Sequence, residues 1–478
     1  MREDALLALG RTKHLHFVGI GGIGMSGIAE LVANIGYRVT GSDARRTDLT
    51  DRLAGLGIGV SIGHAAANVG DADVVIVSSA VAANNPEVVE AHRRHVPVIP
   101  RAEMLAELMR LRTGIAIAGA HGKTTTTSMV ALMLERNGLD PTAVIGGRLS
   151  AFGSNARLGR GRYMVAEADE SDRSFLKLSP TIAVITNIDR EHMEAYRSFE
   201  HLVEAFTEFA GRVPFYGAVV ACADDPEVAA LASRLTRPVI TYGFSPYADV
   251  HGIDPVTDGR SSQCRVRYRV RGGEAAEGEL RLQVPGEHNL QNALAAVAVG
   301  LEVGLAFDRI TAALAEFHGA ERRYQTRGTA RGVTVVDDYG HHPTEIAAVL
   351  RAARAGRPSR IVAVFQPHRF TRTRDLLADF GPALAPADVV VLTDIYAAGE
   401  PPIPGITIDA LADAVRPSVA DVRVVGDLAQ VPQEVATLAR AGDLVITLGA
   451  GSIGAVGDRI LAALDDASVA DPVGGRPR

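Results

Sequence analysis

Cysteine is scarce in this 478-residue chain: only Cys222 and Cys264 occur, far apart and outside any CxxC pair. That excludes a disulfide framework and fits a reducing compartment. Lysine is almost absent. Lys13, Lys123 and Lys177 are the only three among 49 basic residues, so a lysine that survives this bias is a candidate for specific chemistry. No apolar run approaches the ~20 residues of a membrane span, because Gly, Asp and Arg interrupt each one. The run from Ala5 to Leu9 is too short for a signal-peptide core. These absences predict a cytoplasmic protein without membrane insertion. Positive charge is not in excess either. A net charge of -7 gives no support for a general nucleic-acid binder, yet leaves room for a local basic pocket.

What is present is ordinary for a folded protein: 47% apolar and 22% charged residues, in a chain long enough for about three domains. Short Val/Ile runs alternate with helical patterns, which predicts an α/β fold of parallel strands covered on both faces. Strands are expected at His14 to Ile20, Tyr37 to Asp43, Asp73 to Ser79 and Pro97 to Pro100. A second segment begins near Thr113, with strands at Gly114 to Ala118, Tyr163 to Ala168 and Thr181 to Asn187. Its helices are expected at Thr124 to Leu134 and His288 to Val303. Val250 to Val284 alternates and predicts antiparallel strands or an insertion. A third segment begins near Gly319, with strands at Val333 to Asp337, Ile361 to Phe365, Val389 to Thr393 and Leu444 to Leu448, again a doubly wound pattern. The tail after Asp466 is rich in Gly, Pro and Asp and is expected to be disordered.

Six segments carry candidate chemistry. Gly19-Ile20-Gly21-Gly22-Ile23-Gly24 is a GxGxxG turn between a strand and a helix, with Asp43 closing the next strand. Such glycines let backbone approach a diphosphate at a helix N-terminus. Alone, the pattern also reads as an NAD-dependent dehydrogenase. A second nucleotide site argues against that: Gly119-Ala120-His121-Gly122-Lys123-Thr124-Thr125 ends as a P-loop does, although Ile117 breaks the full GxxxxGK[ST] pattern. Lys123 supplies a point charge for β- and γ-phosphates and Thr124 a ligand for Mg²⁺. Glu167-Ala168-Asp169-Glu170-Ser171-Asp172 follows a buried strand, where carboxylates suit a hard cation. His192 stands beside Asp189 and Glu191 after another strand, where it could complete a metal site. Asn289 and Asn292 share one face at a helix start. Finally, Glu321-Arg322-Arg323, Asp337-Asp338-Tyr339-Gly340-His341-His342 and Gln366-Pro367-His368-Arg369-Phe370-Thr371-Arg372 supply acids, imidazoles and guanidiniums suited to phosphate or carboxylate.

Taken together, these segments, from His16 to Gly454, resemble the Mur ligase family of peptidoglycan synthesis. The resemblance implies an N-terminal Rossmann-like UDP-sugar domain at 1–112. A central P-loop ATPase-like domain with a mostly parallel sheet follows at 113–318, and a C-terminal Rossmann-like amino-acid domain at 319–478. It implies ATP-dependent ligation of L-alanine to the lactoyl carboxylate of UDP-N-acetylmuramate through an acyl phosphate, with Mg²⁺ as cofactor. Carried over by motif, Gly19, Gly21, Gly22, Ile23, Gly24, Met25, Ser26, Asp43 and Ser79 would hold the UDP-sugar. Gly119, His121, Gly122, Lys123, Thr124, Thr125, Asn289, Asn292, Arg323 and Asp338 would hold ATP, with Lys123, His192, Arg323 and Asp338 catalytic. Thr124, Glu167 and His192 would serve metal. Tyr339, His341, His368, Arg369 and Arg372 would line the amino-acid end. The chain departs from the family at Ala120, where Thr is usual, and at Asp189 and Glu191, which exchange Glu and Asp. It has no lysine after Lys177, so the carbamylated lysine that bridges metals in some relatives is unavailable.

Overall fold

A computed structural model describes residues 9–78, 80–149, 154–269 and 274–466. Ser79, most of the run from Ala5 to Leu9 and the tail after Asp466 lie outside the described residues. The described residues form three sheets. The first has β1 (His14–Val18), β2 (Arg38–Asp43), β3 (Gly59–Ile62), β4 (Val74–Val77) and β5 (Val98–Pro100) in the order β3-β2-β1-β4-β5, parallel throughout. β1 is buried at every position, as a central strand covered on both faces must be.

The second sheet holds β6 (Thr113–Ala118), β7 (Thr142–Leu149), β8 (Ser154–Arg157), β9 (Tyr163–Glu167), β10 (Ile182–Ile185), β11 (Ala218–Cys222), β12 (Val239–Gly243), β13 (Val250–Thr257), β14 (Ser262–Arg269) and β15 (Ala275–Leu282). Their order is β15-β14-β13-β12-β11-β10-β6-β9-β7-β8. The pairings from β13 across to β7 are parallel, and β7 pairs antiparallel with β8. The alternating stretch from Val250 therefore becomes three consecutive strands that extend one edge. β14 alternates buried and exposed residues, as a strand with one covered face does.

The third sheet holds β16 (Gln325–Ala330), β17 (Val333–Asp338), β18 (Arg360–Phe365), β19 (Val389–Leu392), β20 (Asp421–Val424) and β21 (Asp443–Leu448). Its order is β16-β17-β21-β18-β19-β20, parallel except for β16 against β17. One apolar core surrounds Ile346, Phe365 and Phe380, and another surrounds Val364, Val435 and Ile460.

The chain packs as two compact units. Met1–Asp254, Cys264–Leu280 and Gln291–Phe317 form the first; Pro255–Gln263, Arg281–Leu290 and His318–Arg478 form the second. The first sheet and most of the second thus share one unit. Among the described residues, no helix is long and apolar enough to cross a membrane.

The expected strands all appear, each within two residues of the expected ends. Those not foreseen are β3, β7, β8, β11, β12, β16 and β20.

Gly41, on β2, lies so close to β1 and the turn after it that a Cβ would stand 2.6 Å from both the Phe17 carbonyl and Ile20 Cδ1. Backbone cannot give way there. Gly41→Val should lower the thermal midpoint by several degrees, through overpacking of about 1–3 kcal/mol. Gly55→Ala, at a helical position with open space around it, should hold or slightly raise it. Thermal unfolding followed by circular dichroism separates the two.

Candidate active site

The parallel register of the second sheet builds the first cluster. β6 sits between β9 and β10, with Ile117 opposite Glu167 and Ala118 opposite Ile185. The loop after β6, the acidic segment after β9 and Thr186–Asn187 after β10 therefore emerge side by side. Asn187 and Thr186 satisfy the loop. Asn187 Oδ1 accepts from the His121 N–H at 2.8 Å, and the Asn187 carbonyl accepts from Ala120 N–H at 3.1 Å. Thr186 Oγ1 and Asn187 Nδ2 donate to the His121 carbonyl at 2.7 and 3.0 Å. Two glycines are sterically required. A Cβ on Gly119 (φ +140) would meet Thr186 Oγ1 at 2.0 Å, and one on Gly122 (φ +82) would meet Asn292 Oδ1 at 2.5 Å. Asn292 is thus at the loop, whereas Asn289 donates its amide to the Pro285 carbonyl at 2.6 Å.

Gly122 precedes the helix Lys123–Arg136, so Lys123, Thr124 and Thr125 form its first turn. The Lys123 ammonium donates to Glu170 Oε1 at 2.7 Å and to the Gly119 and Ala120 carbonyls at 2.5 and 3.1 Å. Burial alone would lower its pKa; the Glu170 carboxylate, aided by Glu191 and Asp169, reverses this and keeps the ammonium charged. Burial raises the Glu170 carboxyl while Lys123 opposes it. His121 Nε2 lies 2.9 Å from Asp189 Oδ2.

Ligand atoms of Glu170, Glu191 and His192 all lie within 4.8 Å of one another. Glu170 Oε2 is buried without a hydrogen bond among the described residues. Two carboxylates and an imidazole with a spare buried oxygen fit a small divalent cation. Glu167, half-buried at the end of β9, is beside this group in sequence and in register with the loop strand. Glu170 and Glu191 lie in the two segments read from the sequence as suited to a cation, but the ligands named there are Glu167 and His192; both acids are nearly inaccessible, and this burial is the signal that marks them out.

The glycine turn of the first sheet is built the same way. The Gly19 and Ile20 N–H groups donate to the Ser42 carbonyl at 2.8 and 2.9 Å, and the Gly21 N–H to Asp43 Oδ2 at 2.9 Å. Asp43 therefore pins the turn with one oxygen and caps Arg45 N–H with the other at 3.2 Å. Gly22 precedes the helix Ile23–Ile35, whose first turn also holds Gly24, Met25 and Ser26; Met25 and Ser26 are buried. Arg101, unremarked in the sequence, reaches this turn. A Cβ on Gly24 would lie 2.6 Å from its Nη1, and its Nη2 is 3.3 Å from Asp169 Oδ2.

In the second unit, Arg322 and Tyr324 adopt left-handed φ of 56° and 48° around Arg323. Arg322 Nε pairs with buried Asp337 at 2.8 Å, and Thr447 Oγ1 donates to the same carboxylate at 2.7 Å. Arg323 lies 3.6 Å from Glu345 and over the Tyr339 ring at 5.1 Å. Asp338, 4% exposed, accepts the Tyr324 N–H at 2.7 Å and the Gly340 N–H at 2.6 Å. Burial pushes its carboxyl up to about 6 despite Arg323 and these donors. Tyr339, His341, His368 and Tyr396 follow in a chain of ring contacts at 5.5–5.6 Å. Arg372 Nη1 donates to His368 Nδ1 at 3.1 Å. Arg369, at φ 71°, places Nη1 4.0 Å from Glu400. Tyr396 and Glu400 were not foreseen; they follow β19, in a segment without a cationic or imidazole signal.

Nucleotide-type turns at the C-terminal edges of parallel strands, followed by an arginine- and imidazole-rich third sheet, define the class. Three family profiles match in succession: Mur ligase family, catalytic domain over residues 14–113; Mur ligase middle domain over 117–300; and Mur ligase, glutamate ligase domain over 322–451. The chain belongs to the Mur ligase family. Among individual relatives, it is 51% identical over 461 residues to the UDP-N-acetylmuramate–L-alanine ligase of Geobacter sulfurreducens (strain ATCC 51573 / DSM 12127 / PCA), covering 96% of this chain and 99% of that one. Against the enzyme of the same name from Anaeromyxobacter dehalogenans (strain 2CP-1 / ATCC BAA-258), identity is 53% over 458 residues, covering 95% and 98%. The crystal structure of UDP-N-acetylmuramate-alanine ligase from Thermotoga maritima superposes with a TM-score of 0.79 at 30% identity, over 96% of this chain and all of that one.

Asp338 generates a pH prediction. Its folded pKa of about 6 exceeds the ordinary carboxylate value, so over that interval the folded chain holds a proton that the unfolded chain has released. Stability from this group is complete below about pH 4 and is lost as pH rises through about 6. Asp338→Asn should flatten that decline, read as thermal midpoints across a pH series.

Proposed function

We propose that this chain ligates L-alanine to the lactoyl carboxylate of UDP-N-acetylmuramate at the expense of ATP, in peptidoglycan synthesis, as a cytoplasmic enzyme. One coincidence carries the reading. Near-full-length likeness to UDP-N-acetylmuramate–L-alanine ligases falls on a chain whose phosphate-type loop aims a rare lysine among buried carboxylates. We assign 1–112 to the UDP-sugar, 113–318 to ATP and 319–478 to the amino acid.

A free carboxylate is a poor acyl donor. Transfer of the γ-phosphoryl group makes an acyl phosphate; the alanine amine then attacks the carbonyl carbon, and phosphate leaves the tetrahedral intermediate. The barrier is electrostatic, since an anionic carboxylate must approach an anionic γ-phosphate. Lys123 offsets that charge from the loop, and the backbone N–H groups of Gly122 to Thr125 face phosphate at the helix start. Glu170, Glu191 and His192, with Thr124 and Glu167, would hold Mg²⁺, which supplies charge neutralisation for the phosphates. Arg323 and Asp338 are assigned to ATP. Tyr339, His341, His368, Arg369 and Arg372 are assigned to the amino-acid end. Gly19, Gly21, Gly22, Ile23, Gly24, Met25 and Ser26, with Asp43 and Ser79, are assigned to the UDP-sugar.

Phosphate release from ATP tests the reading directly. It should require both UDP-N-acetylmuramate and L-alanine. Release with a tripeptide alone, or hydride transfer with a nicotinamide cofactor, would overturn it. Lys123→Ala should reduce turnover by at least about 100-fold, because a preorganised charge on the transferring group is lost. The same change strands Glu170, so its thermal midpoint should fall by a few degrees while the circular dichroism spectrum stays native. Near-normal turnover would remove Lys123 from the ATP site.

A further inference from the structure

The first sheet contains a buried polar chain that the ligation chemistry does not use. His14 and His16 alternate with Leu15 and Phe17 on β1, so both imidazoles lie on one face. Thr40 and Ser42 lie on the same face of neighbouring β2, in register with His16 and Val18. Glu87, from the helix Pro86–Arg93, inserts its carboxylate here and is 0% exposed. Oε2 accepts from Ser42 Oγ at 2.6 Å and from His16 Nε2 at 3.3 Å. Oε1 accepts from Asn68 Nδ2 at 2.6 Å and from the Ala65 N–H at 3.1 Å. Burial alone would raise this carboxyl; the bonds from His16, Ser42, Asn68 and Ala65 outweigh it and hold the group at about 2.

An ionised carboxylate only accepts, and that orders the hydrogens of the groups that touch it. The single hydroxyl hydrogen of Ser42 points at Glu87. Its oxygen must then accept from His64 Nδ1, 3.0 Å away. Nδ1 of His64 thus carries a hydrogen, and in the imidazole form of the ring this leaves Nε2 as the acceptor. On the other branch His16 Nε2 donates to the carboxylate, His16 Nδ1 and His14 Nε2 lie 2.9 and 2.8 Å from Thr40 Oγ1, and His14 Nδ1 lies 3.0 Å from Asp71 Oδ1.

His64 follows β3 at the C-terminal edge of the sheet, beside the glycine turn. The Gly63 N–H donates to the Asp43 carbonyl at 2.7 Å, while Ser42 and Asp43 hold the turn itself. The His64 side chain is 24% exposed, and among the described residues its Nε2 makes no hydrogen bond. The crevice outside strand C-termini is where ligands bind in such sheets.

We propose that Glu87 is a positioning residue for nucleoside recognition: through Ser42 it locks His64 in the Nδ1–H tautomer, so that Nε2 accepts a hydrogen bond from a donor on the uridine. This rests on the reading of the glycine turn as the UDP-sugar site. Two uridine donors share that chemistry, the uracil N3–H and the ribose hydroxyls. Cytosine has an acceptor at N3, so an acceptor at His64 would reject it if the base is the partner.

Calorimetric titration with UDP, with and without ADP present, tests this on the intact chain. His64→Ala and Glu87→Gln should each weaken UDP binding about tenfold, the scale of one hydrogen bond. The double variant should be no weaker than His64→Ala alone, because Glu87 acts through His64. ADP affinity should not change. Wild type should discriminate against CDP if N3–H is the donor, or against 2′-deoxy-UDP if the ribose is; His64→Ala should erase that discrimination. A folded Glu87→Gln that binds UDP as wild type does, or losses that add in full, would overturn the proposal. Should Glu87→Gln unfold, Ser42→Ala breaks the same link without removing the charge and is read by the same criteria. Wild type that binds UDP but releases no phosphate with L-alanine sinks the ligase reading alone. Wild type that binds no UDP sinks this inference.

Discussion

A β-strand buried on both faces leaves its polar chemistry to its ends, because each unpaired polar group inside costs a few kcal/mol. The arrangement of the candidate ATP site depends on this constraint. β6, β9 and β10 are apolar along their length and run in the same direction in register, so their polar continuations meet at one edge. The loop that begins there has its own carbonyls and N–H groups to satisfy. Thr186 and Asn187, the first polar residues after β10, do so. Their closeness forbids a side chain at Gly119, as that of Asn292 forbids one at Gly122. The glycines are there because other residues already fill the space, and a phosphate-sized ligand would meet N–H groups held from behind.

Three buried acids show how partners decide what burial does. Glu87, Glu170 and Asp338 all lose solvent, which by itself raises each carboxyl. Glu87 receives four hydrogen bonds, including an imidazole and a hydroxyl, and stays ionised. Glu170 faces an ammonium whose charge it sustains in return. Asp338 has two backbone donors and one guanidinium nearby, and its carboxyl remains raised. Its neighbour Asp337, one residue earlier on β17, is taken up by Arg322 and Thr447. Adjacent acids on one strand end thus have separate tasks, one bracing the chain and one whose carboxyl burial holds up at about 6.

Much of this was legible in the sequence where residues are both rare and periodic. Runs rich in Val and Ile marked β4, β6, β10, β18, β19 and β21, and glycines at fixed spacing marked both turns. Several edge strands were not legible. β3 and β20 are only half-buried and carry no apolar run, and β11, with two alanines in five residues, reads as readily as part of a helix. Site residues with distinctive chemistry, such as Lys123 and His192, stood out. Arg101, Glu87 and Tyr396 did not, because nothing in the local pattern says that a chain segment tens of residues away will meet a glycine turn, a histidine or another ring.

The same limit explains why His14 and His16 read as part of a buried strand and nothing more. Alternation predicts that two residues share a face, not that a glutamate from another helix will sit against them. Once it does, the energetic logic is forced. A buried carboxylate without donors would cost several kcal/mol, so the polar residues on that face of β1 and β2 are the conditions under which Glu87 stays charged. A charge fixed at that point orders the hydrogens of every hydroxyl and ring in contact with it. The order reaches the surface at His64, whose ring stands at the sheet edge beside the glycine turn. A buried network that sets the face of one exposed ring has a different consequence from one that only fills a core: its loss should be felt in what that ring recognises before it is felt in the fold.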